Sequence, residues 1–271
     1  MSKHSIIGII CCLSLFIGCF FVSGNAGAYW NMVAFIVVFS GTLGATFLSF
    51  SFSNIKRSLK SLREVLFTPK RTTGELVDNL LELSVRSKCS GPSCFEQFEK
   101  ESTDSYLQEM AGLLADNYKE EEIREILGTQ MRFFKFRRGQ DERILRHMAT
   151  IAPAFGVAGS VIGLIGLLMG IGDTAQILKH IPIALVSTLY GIILGNFLFS
   201  PLAENIAQKT EEEILHQVLS LEGGVAMLHE THPYKIEKLL SSYLPPEERA
   251  LRRERIREKR REYAENSQAA A

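Results

Sequence analysis

Residues 153–170 read PAFGVAGSVIGLIGLLMG, an apolar run with glycine at 156, 159, 163, 166 and 170. Steps of three, four, three and four put all five glycines on one face of a helix. Each glycine weakens a helix by roughly 1 kcal/mol relative to alanine, so a bare stripe kept along one side needs a physical reason. In lipid, helices gain nothing by hiding apolar surface from each other, and close contact between small residues supplies the packing. The stripe therefore reads as a membrane helix shaped for close approach by another helix. On its own that is ordinary helix packing, and the rest of the chain has to say more.

Working outward, residues 6–22, 29–50, 149–171 and 180–203 hold no Asp, Glu, Lys or Arg. Each is near or above the ~20 residues that cross a ~30 Å hydrocarbon core at 1.5 Å per residue. Inside a bilayer such segments must be helices, because unpaired backbone groups find no water there. The pattern predicts an all-α integral membrane protein with four transmembrane helices, at 5–24, 29–50, 149–172 and 180–203. A second reading of the first stretch stays open: Ala26-Gly27-Ala28 is shaped like a signal-peptidase site and FIGC (16–19) like a lipoprotein box, and cleavage would leave three spans.

The charges set the topology. The segment 51–148 carries 17 Lys and Arg and the chain after 203 carries 11, whereas 23–28 and 172–179 hold only Lys179. The positive-inside rule puts the long loop, the tail and both termini in the cytoplasm. Of the five cysteines, Cys11, Cys12 and Cys19 fall in the first span, and Cys89 and Cys94 in the reducing cytosol. Their spacing, with no second Cys or His pair, is a weak metal signal. With 30 basic and 30 acidic residues the balance gives no sign of a nucleic-acid partner.

The loop 51–148 reads as helices: GELVDNLLELSVRSK (74–88) has a helical apolar face, CSGPSC breaks it, and DSYLQEMAGLLADNY (104–118) follows. From about 119 the pattern runs on into the third span, and AENIAQKTEEEILHQVLS continues past the fourth, so the last two spans are expected to extend as cytoplasmic helices. The segment 204–271 is read as a helical tail whose end, rich in mixed charge, is disordered.

Three features of the last two spans carry chemistry. Span four has its own small-residue stripe, Ala184, Thr188, Gly191 and Gly195. Hydroxyls lie along both helices, at Ser160, Ser187 and Thr188; each can bond back to its own helix or, facing a passage, hold a cation or water. Pro153 and Pro201 stand near the inner membrane face, where a missing N–H bends a helix; each is a hinge or a fixed kink. One absence counts as much. No span holds a central carboxylate or His, and Asp173, Lys179 and His180 sit at the outer turn. A chain that moves ions through lipid ordinarily uses such a group, so here it would have to come from a second polypeptide. No constellation for enzyme catalysis is visible.

TIAPAFGVAGSVIGLIGLL (150–168), IPIALVSTLYGIILGNFLFSPLAENIAQKTEEE (181–213) and, more weakly, FSGTLGATFLSFS (39–51) resemble the A subunits of flagellar stators, the MotA/PomA group of the MotA/TolQ/ExbB proton channel superfamily. The resemblance implies a ring of A subunits, five copies, around two single-span B subunits of the MotB/PomB type, whose Asp carries H+ or Na+, with no bound cofactor. It implies torque on the rotor protein FliG through the cytoplasmic loop, and a place in the bacterial inner membrane. By motif position, Pro153 and Pro201 match the family's two helix-end prolines and Thr188 its passage-facing threonine. Ser160 and Ser187 fall where sodium-driven members carry threonines, and Arg86 and Glu96 match the loop's rotor-engaging charges. Thr150 stands where the family often has Asp, and SKCSGPSCF (87–95) is longer than the usual loop. A TolQ/ExbB-type energiser of an outer-membrane or gliding system is the alternative, and a passive membrane scaffold is a third reading.

Overall fold

The computed structural model describes residues 26–67, 72–90, 93–102, 104–171, 174–229 and 232–246, and positions 14, 18 and 249. The expected first span (5–24), Asp173 and the end of the tail lie outside these, apart from those single positions. Every regular element among the described residues is helical: a 3₁₀ turn (Ala26–Tyr29), α1 (Met32–Ser49), α2 (Phe52–Phe67), α3 (Thr73–Ser90), α4 (Ser93–Glu101), α5 (Ser105–Ala115), α6 (Glu120–Met169), α7 (Thr174–Ile192), a π-helical segment (Ile193–Phe199), α8 (Ser200–Leu228) and α9 (Pro233–Ser241). Among the described residues, three stretches of helix are long and apolar enough to cross a membrane: Met32–Ser49, Glu120–Met169 and Thr174–Leu228. The last begins at Thr174 rather than at the expected 180, so Lys179 and His180 sit in its first turns and not in a loop.

The chain forms two compact units, one from residues up to Val65 with Gly139–Ala207, the other from Leu66–Arg138 with Gln208 onward. In the first unit, α1 starts at Asn31, whose side chain accepts from the Ala34 N–H. Its buried face is small, with Ala34, Val38, Thr42 and Thr46 four apart, and both threonine hydroxyls donate back to carbonyls one turn earlier. Gly41 lies against the Phe155 ring, where a Cβ would overlap it. A cluster of Leu145, Ala152, Phe199, Ala203 and Ile206 packs α6 against the start of α8.

Pro153 is absorbed inside α6, which stays helical on both sides of it. The expected bend at Pro201 takes another form: the turns before it widen to π geometry over Ile193–Phe199, and the Ser200 N–H reaches back to Gly195 O. A proline ring crowds the carbonyl four residues earlier, and a π turn relieves that crowding without ending the helix.

The second unit is a helical bundle whose centre holds Leu80, Leu83, Met110, Ile123, Leu127, Leu219, Ile236 and Leu240, nearly all shielded from water. Cys94 is buried in this core, and burial pushes its thiol pKa up. Asp104 caps α5 by accepting from Tyr106 N and Leu107 N. At the far end, Arg124 of α6 holds Glu222 of α8 (2.9 Å) and Glu120 (2.7 Å), and Glu120 meets His229 at 2.7 Å.

Candidate functional site

The glycine stripe of α6 packs against α7 of the same chain. A Cβ placed on Gly159 would stand 2.7 Å from the Ser187 side chain, one on Gly163 2.5 Å from Ala184 N, and one on Gly166 2.5 Å from the His180 ring. Gly156 sits on the backbone of Ser187, Thr188 and Gly191, and Gly170 on Gln176. From the other helix, Gly191 faces Ala152 O and Gly156 Cα, and Gly195 faces Ala149 O and the Pro153 ring. Pro153 removes the N–H that would have bonded to the Ala149 carbonyl, and Gly195 leaves room for both ring and carbonyl.

This seam sorts the hydroxyls. Ser187 is fully buried against Gly159, and its Oγ donates to Ile183 O at 2.6 Å. Thr188, one residue on, is half-buried, and its Oγ1 makes a long 3.4 Å contact to Gly156 O. Its hydroxyl is therefore loosely held at the edge of the seam. Ser160 is also half-buried. The opposite side of α6 presents Val157, Val161, Ile162, Leu164, Ile165 and Leu168, all at least half exposed, a surface that lipid or another helix must cover.

One contributor was not evident from the sequence. The Tyr190 hydroxyl donates to Tyr29 O (2.6 Å) and accepts from Asn31 N (3.1 Å), satisfying the backbone where the 3₁₀ turn Ala26–Tyr29 hands over to α1. A lone phenol in an aliphatic span is the sequence signal for such a role, since a buried Tyr hydroxyl needs a partner; its partners, some 160 residues away, have no such signal.

In the second unit, the ion pairs seen for Arg86 among the described residues are to other carboxylates than Glu96. Arg86 pairs with Glu82 one turn back (2.6 Å) and with Glu101 (3.7 Å), while Glu96 stands exposed in the first turn of α4. Arg86 borders a groove of about 380 Å³ whose wall also includes Glu75, Glu82, Glu101, Asp104 and His216. Among the described residues no group of three or more His, Cys, Asp or Glu is placed to hold a metal.

The MotA/TolQ/ExbB proton channel family matches residues 96–218. Motility protein A of Bacillus subtilis (strain 168) is 29% identical over 252 residues, covering 92% of this chain and 93% of that protein. Chemotaxis protein PomA of Vibrio alginolyticus is 24% identical over 251 residues, 93% of this chain and 98% of that one. The structure of the flagellar MotAB stator complex from Bacillus subtilis superposes with a TM-score of 0.82 at 29% identity, over 92% of this chain and 98% of the matched chain.

Proposed function

We propose, from its likeness to the MotA/TolQ/ExbB proton channel family over residues 96–218 and to motility protein A over 92% of its length, that the chain works as the A subunit of an ion-driven flagellar stator. The full-length likeness to motility proteins and to a MotAB complex favours this over an energiser of the TolQ/ExbB type. Its long apolar helices suit a membrane protein, and the family it matches is one of proton channels.

The observation that carries the mechanism is the pairing of a sealed seam with a charge-free interior. α6 and α7 close on each other through glycine, and residues 149–171 and 180–203 contain no acid or base besides His180. An ion crossing beside them needs a carboxylate supplied by another chain, a single-span B subunit. Thr188, at the seam's edge, is the hydroxyl best placed to meet it; Ser160 is a second candidate. Ser187 is spent on its own helix and serves packing.

An ion arriving at the partner's carboxylate neutralises a charge that is costly in low dielectric. Which A-subunit face packs best against the B helix then changes, and a ring of copies, taken as five, steps round. The field supplies about 2.3 kcal/mol per charge per 100 mV. Pro153 against Gly195, and Pro201 behind its π turn, are where α6 and α8 can flex. Arg86 and Glu96 present charge to the rotor protein FliG. Both termini and the loop face the cytoplasm from the inner membrane, and the transported ion is H+ or Na+. Ion flux measured in cells expressing the chain with a single-span B subunit of the MotB/PomB type tests this: flux that needs both proteins supports the reading, and flux from this chain alone removes it.

A further inference from the structure

Two buried hydroxyls on α2 have no place in that mechanism. Ser58 and Ser61, three apart on one face, are 2% and 7% exposed, and a buried hydroxyl is unfavourable unless it is bonded. Both bond to one residue of α6. Ser61 Oγ donates to Asp141 Oδ2 at 2.6 Å, and Ser58 Oγ to the Asp141 backbone carbonyl at 2.9 Å. Arg57 Nε donates to Asp141 Oδ1 at 3.0 Å, and its Nη2 to Gln140 Oε1 at 2.8 Å. Asp141 is itself only 2% exposed, so a carboxylate has been taken out of water and both its oxygens are held from a neighbouring helix.

We propose that Asp141 is a positioning residue that locks α2 to α6, so that the two helices carry load as one body when the chain drives rotation. Its second half rests on the stator reading. Apolar contacts slide at little cost, whereas charge-assisted hydrogen bonds are directional and resist shear. α2 otherwise meets α6 and α8 through partly buried Leu62 and Val65. α6 and α7 are joined separately by the glycine seam, and α6 and α8 by Arg146 and Glu204 at 2.9 Å. Loss of the lock therefore frees α2 without opening the ion path. The lock lies twelve residues before Pro153, on the stretch of α6 that a hinge at that proline would move.

The test is a double-mutant cycle with Arg57→Ala, Asp141→Ala and the pair, in the full chain. Thermal unfolding of the detergent-solubilised protein should show each single substitution lowering the midpoint and the double variant falling no further than the worse single. In cells carrying the same substitutions, torque under load should drop about twofold or more while ion flux changes by less than about twofold, because the α2–α6 contact shares no residue with the glycine seam and distant sites act independently. Ser61→Ala, which keeps the ion pair, should give a smaller loss of torque, and it decides the matter if Asp141→Ala does not accumulate. Additive midpoints, undiminished torque, or torque and flux falling in parallel would each overturn the proposal. A wild-type chain that drives no rotation would instead remove the stator reading, while the non-additive midpoints would still report the lock.

Discussion

Gly156 and Gly191 lie back to back across the α6–α7 seam: a Cβ on Gly191 would stand 2.9 Å from the Gly156 Cα and 2.7 Å from the Ala152 carbonyl. Both obstacles are backbone and cannot swing aside. Gly191→Ala should therefore push the helices apart and destabilise the chain by about 1–3 kcal/mol, the usual cost of overpacking. Gly44 of α1 has nothing within 4 Å of its Cβ position, so Gly44→Ala should be neutral or stabilising by up to ~1 kcal/mol in the solubilised chain. Thermal unfolding of both variants checks the pair; equal destabilisation would mean that the seam is not what needs glycine.

Tyr190→Phe removes one hydroxyl and leaves two backbone groups, Tyr29 O and Asn31 N, without the partner they share. The expected loss is about 1–3 kcal/mol, larger than for a phenol that merely points at solvent. Proteolysis at the start of α1 should rise in step with the fall in the thermal midpoint, and an unchanged cleavage rate would count against the contact.

Arg86→Glu places a third carboxylate beside Glu82 and Glu101, with which Arg86 pairs at the surface. Exposed pairs contribute only about 0–1 kcal/mol, so the fold should survive with a small shift in midpoint. Swimming should fail while ion flux persists. Flux lost together with motility would move Arg86 from rotor contact to assembly.

The α6–α8 junction at the far end of the second unit should loosen in acid. The Glu120 carboxyl is held below its ordinary value of 4.5 by hydrogen bonds from Arg124 and then His229. Because the folded form binds its proton less readily than the unfolded chain, the stabilisation is complete above that ordinary value and is lost as pH falls through the lowered one. Thermal midpoints followed down through acid pH should decline less steeply in Glu120→Gln than in wild type. Added salt should weaken the effect, since the group is at the surface. Identical slopes would exclude Glu120 as a contributor.

The helical class and the close-packed stripe are legible because charge-free length and glycine spacing are properties of single segments. Which helix fills the stripe is only half legible. Ala184, Gly191 and Gly195 belong to the seam, but Ser187 faces it more squarely than Thr188, since one residue of helix rotation exchanges their roles. The π turn before Pro201 could not be read, because it depends on how the proline's crowding is relieved once α6 and α8 pack. The Arg86–Glu82 pair is a four-residue spacing open to inspection, whereas Glu101 comes from another helix. Ser58, Ser61 and Arg57 carry no local signal of their role, because the partner that unites them, Asp141, lies some 80 residues away.

The central claim is that the passage is walled by this chain and charged by another, with Thr188 at the point of contact. Ion flux into cells expressing the chain with its single-span partner, compared between wild type, Thr188→Ser and Thr188→Ala, tests it most directly. The account predicts flux only when both proteins are present, retained by the serine variant, and reduced about tenfold or more by the alanine variant in complexes that still co-purify, about 1.4 kcal/mol or more on the barrier. Full flux through Thr188→Ala, or flux through this chain without a partner, would contradict it.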